Sequence, residues 1–560
     1  MPEGSADDTT RYLCAATYLD PAYAKTVIKE FLVEPTRPVP PSPGLDAATV
    51  LTEAVRSRIR RKLYDALFVV LMLLFLIAAW GDMLLYAWIV LSVVLSLPAW
   101  FGTGGLGEAK APSAKTLAWG VGIIAGVFLL LRFGTPLFNS GYDSGHSSSA
   151  FDESPYSSSG SNTGETVRGV LAAIVALTAL AAVLRERWLL WQLLTKHFRR
   201  GANLDTGGDT SSFLTENFDE ELARYRRNAQ LQPAGGAPLI VYRGYNPFVG
   251  SGLRRAAWSM AVPLERLPDE DRDPATERPL TTASLYDEIR AAIEHLRTGG
   301  ALSPDARLSK LNVLGSVFTP SAELIDHHES AEARLYLPDT RYPPHGRLPD
   351  DEVERIRLEP REWARYYLCF QVETWDRDLV LSTYLHLAVN ESTLYLEWTP
   401  CMLPPIRASY RAVDRMRPGS YRPLAQGLLE WLRLPASVPA RVANLFSFIR
   451  SPKREPEVLD SDRYGSMSSL RELAAANLFT NYFQLVDIER YEKIIESRLL
   501  PAIGKLLDDA GFSTAKFDEQ AAVVINNSIT VDGDNSAPLQ QTGIRGKPPR
   551  TGGSPSGNNQ

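Results

Sequence analysis

The stretch from residue 364 to residue 389 reads ARYYLCFQVETWDRDLVLSTYLHLAV, and residues 392–403 continue it as STLYLEWTPCML. Both segments are rich in Tyr, Val, Leu and Trp, which favour extended strands. The polar residues of VETWDRDLV and VNES interrupt the apolar pattern at the positions expected for hairpin turns. The sequence therefore predicts an antiparallel meander of three strands in the second half of the chain.

The segments around this meander have the pattern of a mixed α+β domain. PLIVYRGYNPFVG and AAWSMAVPL predict two earlier strands, and TTASLYDEIRAAIEHLRTGG predicts an amphipathic helix with a threonine cap and a glycine stop. We assign residues 201–425 to this domain and residues 426–511 to carboxyl-terminal amphipathic helices. Residues 512–560 predict a short strand pair, between residues 523 and 534, followed by a disordered tail rich in Gly and Asn.

Four apolar runs precede this domain, at residues 64–80, 84–101, 116–133 and 169–184. A bilayer core ~30 Å thick requires ~20 helical residues. The first run contains ALFVVLMLLFLIAAW, which has no polar face, and this favours a transmembrane helix over the alternative of a buried helical bundle. The predicted fold class is therefore four transmembrane helices over residues 63–194, joined to a cytosolic α+β domain with an antiparallel sheet.

The distribution of basic residues predicts the orientation in the membrane. Lys and Arg cluster just before the first run and just after the fourth, whereas residues 135–167 contain none. The positive-inside rule then places both termini in the cytoplasm, with residues 1–62 as a cytosolic helical segment and the Ser- and Gly-rich loop 135–167 as a flexible outer tether. Arg132 and Arg168 oppose this arrangement, because both would lie at the outer face.

Two pairs of residues are candidates for roles inside the membrane region. Gly122 and Gly126 lie four residues apart in GIIAG, a spacing that lets helix backbones approach closely, either within the bundle or between two copies of the chain. Trp188 and Trp191 follow the fourth run, where amphipathic rings suit the membrane interface.

A later segment, residues 426–454, combines an apolar helical face with basic residues that include Arg441 and Arg450. Two interpretations stand side by side. The segment is either a helix that lies on the inner leaflet, with these arginines at the interface, or a core helix of the cytosolic domain.

The segment VYRGYNPFVGSGLRR, residues 241–255, resembles a phosphate loop but matches neither common template. A Walker A loop requires four residues between its glycines and a following lysine, and G-x-G-x-x-G requires a glycine where Arg255 stands. The loop is therefore predicted as a turn between two strands. If it binds a ligand, the amides near Gly250 and Gly252, together with Arg254 and Arg255, favour an anion.

No catalytic or metal-binding constellation is predicted. The segment IDHHES places four potential ligands side by side, namely Asp326, His327, His328 and Glu329. Adjacent histidines point apart, so a polar loop is the expected structure. Cys369 and Cys401 occur in strand-like apolar segments that are typical of buried thiols, and His386 is expected to be a packed strand residue. We predict no cofactor, and the net charge of −6 gives no basic surface for nucleic acid.

Several segments together resemble a family of large uncharacterised, multi-pass membrane proteins of high-GC Gram-positive bacteria, the actinobacteria. These segments are PFVGSG, ARYYLCFQVETWDRDLVLSTYLHLAV, LPPIRASYRAVD and SSLRELAAANLFTNYFQLVDIERYEKIIESRLL. RYLCAATYLDP and SPGLD, before the membrane region, match more loosely. The resemblance implies no activity, cofactor or catalytic residue.

These observations lead to one main functional hypothesis and two alternatives. The main hypothesis is an integral protein of the bacterial inner membrane with a non-enzymatic cytosolic domain for binding or assembly, acting as an effector or scaffold. Its expected partners are the lipid bilayer, a cytosolic protein and further copies of the chain. The first alternative is a membrane-tethered enzyme or sensor that binds an anionic ligand or a nucleotide at the Gly250 loop. The second alternative is an oligomeric pore.

Overall fold

A computed structural model describes most of the chain. The described residues are 8–34, 36–81, 83–101, 161–202, 218–230, 235–268, 279–376, 378–447, 459–477, 479 and 481–529. The predicted third apolar run, with Gly122 and Gly126, lies outside them, and so does Arg450. Residues 161–167 of the predicted outer loop begin a helix, and the rest of that loop lies outside the described residues.

In the described residues, six helices precede the first strand. In chain order α1 to α6 are Asp8–Leu19, Pro21–Ile28, Ala47–Ala78, Met83–Phe101, Ser161–His197 and Asp219–Gln230. A π-helical turn, Lys29–Val33, extends α2. Helix α3 begins where the sequence predicts, whereas α5 begins at Ser161, within the predicted outer loop. Asp46 caps α3, and its carboxylate accepts hydrogen bonds from the amides of Ala48 and Thr49, which confirms the predicted cap.

Strands and further helices alternate after residue 235. The strands β1 to β8 are Ala237–Tyr242, Leu253–Arg254, Trp258–Pro263, Asn312–Pro320, Arg347–Leu348, Arg365–Thr374, Leu379–Val389 and Thr393–Leu403. The helices α7 to α16 are Thr282–Glu294, Ser321–Asp326, Ala331–Tyr336, Asp350–Leu358, Ala408–Arg411, Arg422–Leu432, Leu434–Phe446, Leu470–Leu473, Tyr482–Asp509 and Ala515–Ile529. Short 3₁₀ turns occupy His295–Thr298, Gly300–Leu302, Pro304–Lys310, Ala412–Arg415 and Ser461–Arg463.

One eight-stranded sheet forms the centre of the second half. Its order is β2–β8–β7–β6–β4–β1–β5, and β3 also pairs with β8. The predicted meander is confirmed, since β6, β7 and β8 are antiparallel neighbours joined by the two predicted turns. The sheet as a whole is mixed rather than antiparallel, because β1 runs parallel to β4. This parallel pair requires a crossover, and the chain between the two strands includes β2, β3 and α7.

Helices α7 and α15 cover one face of this sheet. Their apolar stripes share a large core with the inward side chains of the meander, among them the fully buried Leu385 and Trp398. The predicted threonine cap of α7 is present, because Thr281 and Ser284 form a reciprocal capping box. The long helix α15 continues through Pro501 as a single element.

The amino-terminal helices are not a separate unit. Side chains of α1, α2 and the first turns of α3 form a second core with residues from far along the chain, for example Leu13 with Ile406 and Leu470. The end of α5 joins the same core through Leu194 and Phe198. The amino-terminal segment thus packs on the sheet domain across more than 400 residues of sequence.

A third core joins the apolar helices. It combines the second half of α3 with α4, α5 and the helical pair α12 and α13, and we call this group the apolar layer. Its buried members include Phe68 and Phe75 from α3, Val183 from α5 and Leu434 from α13.

The prediction of four transmembrane helices is wrong. Among the described residues one helix, Val167–His197 within α5, is long and apolar enough to cross a membrane, and its most apolar 18-residue window has a mean hydropathy of 2.3. Helix α3 ends at Ala78, so its apolar part is shorter than the ~20 residues that a bilayer requires. The apolar part of α4 is also short, Leu85–Ser96.

The tail differs from the prediction as well. The segment from Val523 to Ile529, expected to be part of a strand pair, belongs to helix α16. Phe517 and Ala521, four residues apart in the first turns of this helix, lie on one helical face, and both pack into the main core beside α15. Burial of that face explains why a helix forms there instead of a strand.

Loss of a core side chain in the meander will destabilise the whole sheet domain. Leu385→Ala removes a fully buried side chain from β7, and we expect the free energy of unfolding to fall by about 2–5 kcal/mol. Leu302→Ala, at a half-exposed position, is the matched control and is expected to change stability by less than about 0.5 kcal/mol. Chemical denaturation measures the free energy of unfolding of both variants. An equal decrease in the two variants would contradict the assigned core.

Candidate functional site

The Gly250 loop has the backbone geometry of an anion-binding loop. Gly244, Gly250 and Gly252 all have positive φ, at 86°, 97° and 84°. The amide of Gly252 donates a 2.8 Å hydrogen bond to Oε1 of Glu472 in α14. The other carboxylate oxygen accepts a 2.6 Å bond from the amide of Ser469, which closes a capping box. The anion that this loop binds in the structure is therefore a side chain of the same protein.

The environment of Glu472 shows why this carboxylate is held there. Burial raises its pKa, and hydrogen bonds from the amides of Ser469, Gly252 and Gly250 act in the opposite direction. An external anion at this loop stays a prediction. To bind there it would have to compete with a carboxylate that already accepts the backbone donors.

The two arginines of the loop also have partners within the chain. Arg254 lies over the ring of Tyr245, 5.6 Å from its centroid. Arg255 donates to Glu492 at 3.0 Å and lies 3.9 Å from Glu489, both on α15. The structure therefore brings Gly252 to Glu472, but it directs the two arginines to different neighbours.

The loop is packed on both sides. Phe248 stacks on Tyr384 of β7 with ring centroids 4.5 Å apart, and Ser251 lies within hydrogen-bonding distance of the same Tyr384 hydroxyl, at 2.5 Å. On the other side a Cβ at Gly250 would meet the carbonyl oxygen of Pro41 at 2.7 Å, because Pro40 and Pro41, which precede α3, lie against the loop there. These contacts support the predicted role of a turn that packs against the sheet.

The other sequence candidates occupy structural positions. Asp326 ends α8, and His327 stacks on Trp363 with centroids 5.4 Å apart while its Nδ1 is 2.8 Å from the carbonyl oxygen of Glu323. The Nδ1 of His328 is 2.9 Å from the carbonyl oxygen of Ile325. Among the described residues no group of three or more His, Cys, Asp and Glu side chains is placed to hold a metal ion.

The thiols and the strand histidine are buried in the sheet. Burial raises the pKa of Cys369 to about 12 and also raises the pKa of Cys401, so neither thiol is ionised near neutral pH. Burial lowers the pKa of His386, whose Nδ1 lies 2.9 Å from the carbonyl oxygen of Tyr366. All three residues pack in the sheet, and none opens onto a cavity described below.

A polar cleft that the sequence analysis missed lies where the amino-terminal helices meet the sheet domain. It has a volume of about 360 Å³. Its lining residues are Asp8, Thr9, Tyr12, Arg200, Trp375, Asp376, Asp378, Ile406, Arg411, Asn481 and Gln484. At its edge the β6–β7 turn holds two non-glycine residues, Trp375 and Asp376, at a φ of 54°. Strained backbone of this kind is concentrated at functional sites in proteins.

Ion pairs connect the walls of this polar cleft. Arg200 donates to Asp8 at 2.9 Å and lies 3.5 Å from Asp376, and Arg411 donates to Asp378 at 2.6 Å. Burial raises the pKa of Asp378, and the neighbouring Arg411 opposes that shift. The cleft thus has charges of both signs on opposite walls, which suits a polar ligand or a polar protein segment.

A buried arginine beside the cleft forms hydrogen bonds with both the amino-terminal helices and the sheet domain. Arg471, which is 1% exposed, donates to the carbonyl oxygens of Asp378 at 2.8 Å and Pro404 at 3.3 Å, and to the hydroxyl of Thr9 at 3.3 Å. Burial lowers its pKa to about 10. The sequence signal for this site is the polar turn TWDRD, which contains the lining residues Trp375, Asp376 and Asp378 and was predicted only as the connection between two strands.

The predicted membrane-interface residues have distinct environments. Trp188 is half-exposed on α5, whereas Trp191 is buried and its Nε1 donates to the carbonyl oxygen of Arg417 at 2.9 Å. Arg441 is on α13 and donates to Asp65 at 2.6 Å and Glu430 at 3.1 Å. Of these three residues, Trp188 is the one with an exposed side chain.

Two glycines in the Gly250 loop differ in a way that tests its close packing. At Gly252 a Cβ would lie 2.3 Å from the carbonyl oxygen of Met402, so we expect Gly252→Ala to cost more than about 3 kcal/mol. Gly244 has almost the same φ but no heavy atom within 4 Å, so Gly244→Ala should cost only the ~1–2 kcal/mol of the left-handed backbone. Thermal unfolding of both variants measures the difference, and similar losses would show that packing at Gly252 is loose.

Removal of the internal carboxylate will create an open anion site. Glu472→Ala leaves the amides of Gly252 and Ser469 without their acceptor, which costs about 1–3 kcal/mol for each buried donor. We expect inorganic phosphate to raise the melting temperature of this variant above that in sodium chloride of equal ionic strength, and to leave the parent protein unchanged. An equal rise in the parent protein would show that an external anion binds beside Glu472.

Comparison with known proteins places the second half of the chain in a family. The family model described as AbeC-like domain matches residues 257–537. This region includes β3 to β8, the helical pair α12 and α13, and most of the polar cleft. No curated protein and no solved structure is significantly similar to the chain. The match shows neither a membrane location nor an actinobacterial origin, and both stay predictions. The matched region spans half of the 560 residues, and the chain belongs to the AbeC-like domain family.

Proposed function

We propose that this protein is attached to a lipid bilayer by its apolar layer and that its sheet domain binds a partner without catalysing a reaction. The observation that supports the attachment is a set of large apolar side chains exposed on three neighbouring helices. Ile77 of α3 is 72% exposed, Val90 of α4 is 59% exposed and Leu177 of α5 is 63% exposed. Exposed apolar surface of this extent favours a membrane or a protein partner over water.

Helix α5 differs from a core helix of a folded chain, which supports contact with lipid. A core helix of the same apolarity would be mostly buried, whereas only 17% of the most apolar window of α5 is buried by the rest of the chain. The segment Val167–His197 contains 31 residues, and at 1.5 Å per residue it exceeds the ~30 Å thickness of the bilayer core.

The basic residues give the proposed side of the membrane. Arg58 and Lys62 precede the apolar part of α3, and both donate to the carbonyl oxygen of Ser447, at 2.7 and 3.1 Å. Lys196 and His197 end α5 close to the sheet domain. Basic residues at this boundary favour the cytoplasmic side for the sheet domain, as the positive-inside rule requires.

The polar cleft supports a binding role for the sheet domain. Its carboxylates and guanidinium groups are paired with each other across the walls, and the pairs leave a recess of about 360 Å³ between them. Groups paired in this way are suited to recognition of a polar partner more than to proton transfer, which needs a titratable group within reach of a substrate. An effector or scaffold role is consistent with this arrangement.

Flotation with vesicles tests the attachment. We expect the parent protein to float with phosphatidylcholine vesicles in a density gradient, because its apolar layer enters the bilayer. The triple variant Leu73→Glu, Val90→Glu, Leu177→Glu places one charge on each of α3, α4 and α5, and should reduce the floating fraction at least tenfold.

A matched control changes three exposed leucines of the sheet domain, with Leu302→Glu, Leu335→Glu and Leu358→Glu. This control should float like the parent, and circular dichroism verifies that both triple variants are folded. A parent protein that stays monomeric in buffer without detergent or vesicles would contradict the proposal. A parent that forms a stable dimer and does not float would show that a second copy, and not lipid, covers the apolar layer.

A further inference from the structure

We infer that the helical pair α12 and α13 is a re-entrant hairpin that enters the bilayer beside α3 and α5 and contacts lipid acyl chains. The inference rests on the proposed attachment of the apolar layer to a bilayer. It concerns a segment of the AbeC-like domain itself, more than 200 residues after the last predicted apolar run.

Contacts along α5 show how far the hairpin reaches. The carbonyl oxygen of Arg417, before α12, accepts the Nε1 bond of Trp191. Further along α12, Gly427 packs against Leu184 of α5, because a Cβ added at Gly427 would lie only 3.0 Å from the Cδ2 atom of Leu184. At the end of α12, Trp431 donates to the carbonyl oxygen of Ala176 at 3.1 Å. The chain from Arg417 to Trp431 thus runs antiparallel to α5 along about 22 Å of that helix, and the 11 residues of α12 account for about 16 Å of this length, at 1.5 Å per residue.

Contacts along α3 and α4 show the return path. The turn between α12 and α13 lies beside α4, because Trp88 donates to the carbonyl oxygen of Leu432 at 3.2 Å. Trp88 also packs edge-on against Phe75 of α3, with ring centroids 4.9 Å apart. At the other end of α13 the carbonyl oxygen of Ser447 accepts hydrogen bonds from Arg58 of α3. The turn therefore lies about 25 Å along α3 from the basic residues at its base.

Two charged residues of the hairpin, Glu430 and Arg441, belong to a network of ion pairs with α3 and α5. Arg187 of α5 pairs with Glu430, Glu430 accepts from Arg441 at 3.1 Å, and Arg441 donates to Asp65 of α3 at 2.6 Å. These two cations and two anions are neutral together, and the guanidinium of Arg441 also lies 4.7 Å above the ring of Phe68. Neutral, mutually paired charges facing the interior of a helix group are the arrangement in which ionisable residues occur inside membranes.

The outer surface of the hairpin continues the apolar layer. Leu424 and Leu428 lie one turn apart on α12 and are 47% and 39% exposed. Arg433 occupies the turn between α12 and α13. The sequence allows either a helix lying flat on the inner leaflet or a core helix of the cytosolic domain. The contacts with Ala176 and Trp88 favour insertion, because a flat helix would not reach them.

Fluorescence quenching by brominated phospholipids tests the insertion. Single cysteines are introduced by Leu428→Cys on α12, Val90→Cys on α4 and Leu302→Cys on the sheet domain, and each is labelled with a small environment-sensitive fluorophore. The native cysteines are all buried, so the label is selective for the new thiol. Each labelled full-length protein is reconstituted in phosphatidylcholine vesicles, and its melting temperature is compared with that of the unlabelled parent.

The expected result is deep quenching at Leu428→Cys, within about twofold of that at Val90→Cys, and no quenching at Leu302→Cys. If Val90→Cys is quenched and Leu428→Cys behaves like Leu302→Cys, the hairpin is outside the bilayer and the inference fails while the attachment stands. Quenching of Leu428→Cys by shallow bromines alone would also overturn insertion, because the helix would then lie flat. Absence of quenching at Val90→Cys would overturn both proposals.

Discussion

Burial of strand β7 on both of its faces is the constraint on which the rest of the structure depends. The first nine residues of this strand, from Leu379 to Leu387, are all buried, so both faces of the sheet must be covered. Helices α7 and α15 cover one face. The Gly250 loop, through Phe248 and its stack on Tyr384, covers part of the other. A loop that covers the sheet has little freedom to open for a ligand. Its glycines are explained by this close packing better than by phosphate binding, because a Cβ at Gly250 or Gly252 would meet neighbouring backbone atoms.

The short helix α14 contacts the amino-terminal helices, the β6–β7 turn and the Gly250 loop through two neighbouring charged residues. Arg471 donates to the amino-terminal helices and to the β6–β7 turn, and Glu472 accepts from the Gly250 loop. Arg471 is buried and Glu472 is partly buried, and burial shifts the pKa values of both towards their neutral forms. Each buried charge is tolerated because backbone groups solvate it. The polar cleft lies next to this junction, so a ligand there would contact both the amino-terminal helices and the sheet domain.

The apolar layer changes how the chain is divided. Residues before the sheet and residues after it meet in the same helical group, as Trp431 of α12 and Ala176 of α5 show. A membrane segment followed by an independent domain therefore does not describe this protein. If the layer lies in lipid, part of the AbeC-like domain lies there with it, and the sheet domain is held at a fixed orientation to the membrane surface by α12 and α13.

The sequence by itself determined the local elements. The richness of residues 364–403 in Tyr, Val, Leu and Trp predicted the meander, its polar interruptions predicted the turns, and Asp46 and Thr281 marked two helix starts. The apolar run 169–184 predicted a helix, which lies within α5, but the sequence did not distinguish it from the three runs that were wrongly predicted to span with it. These features depend on residues close together in the chain. Only the tertiary structure decided that the apolar part of α3 ends too soon to span and that β1 pairs in parallel with β4. It also decided that Glu472 occupies the Gly250 loop and that Asp8, Asp376 and Arg411 form one cleft. Those outcomes depend on which distant residues meet when both faces of the sheet are covered, and no local pattern encodes such meetings.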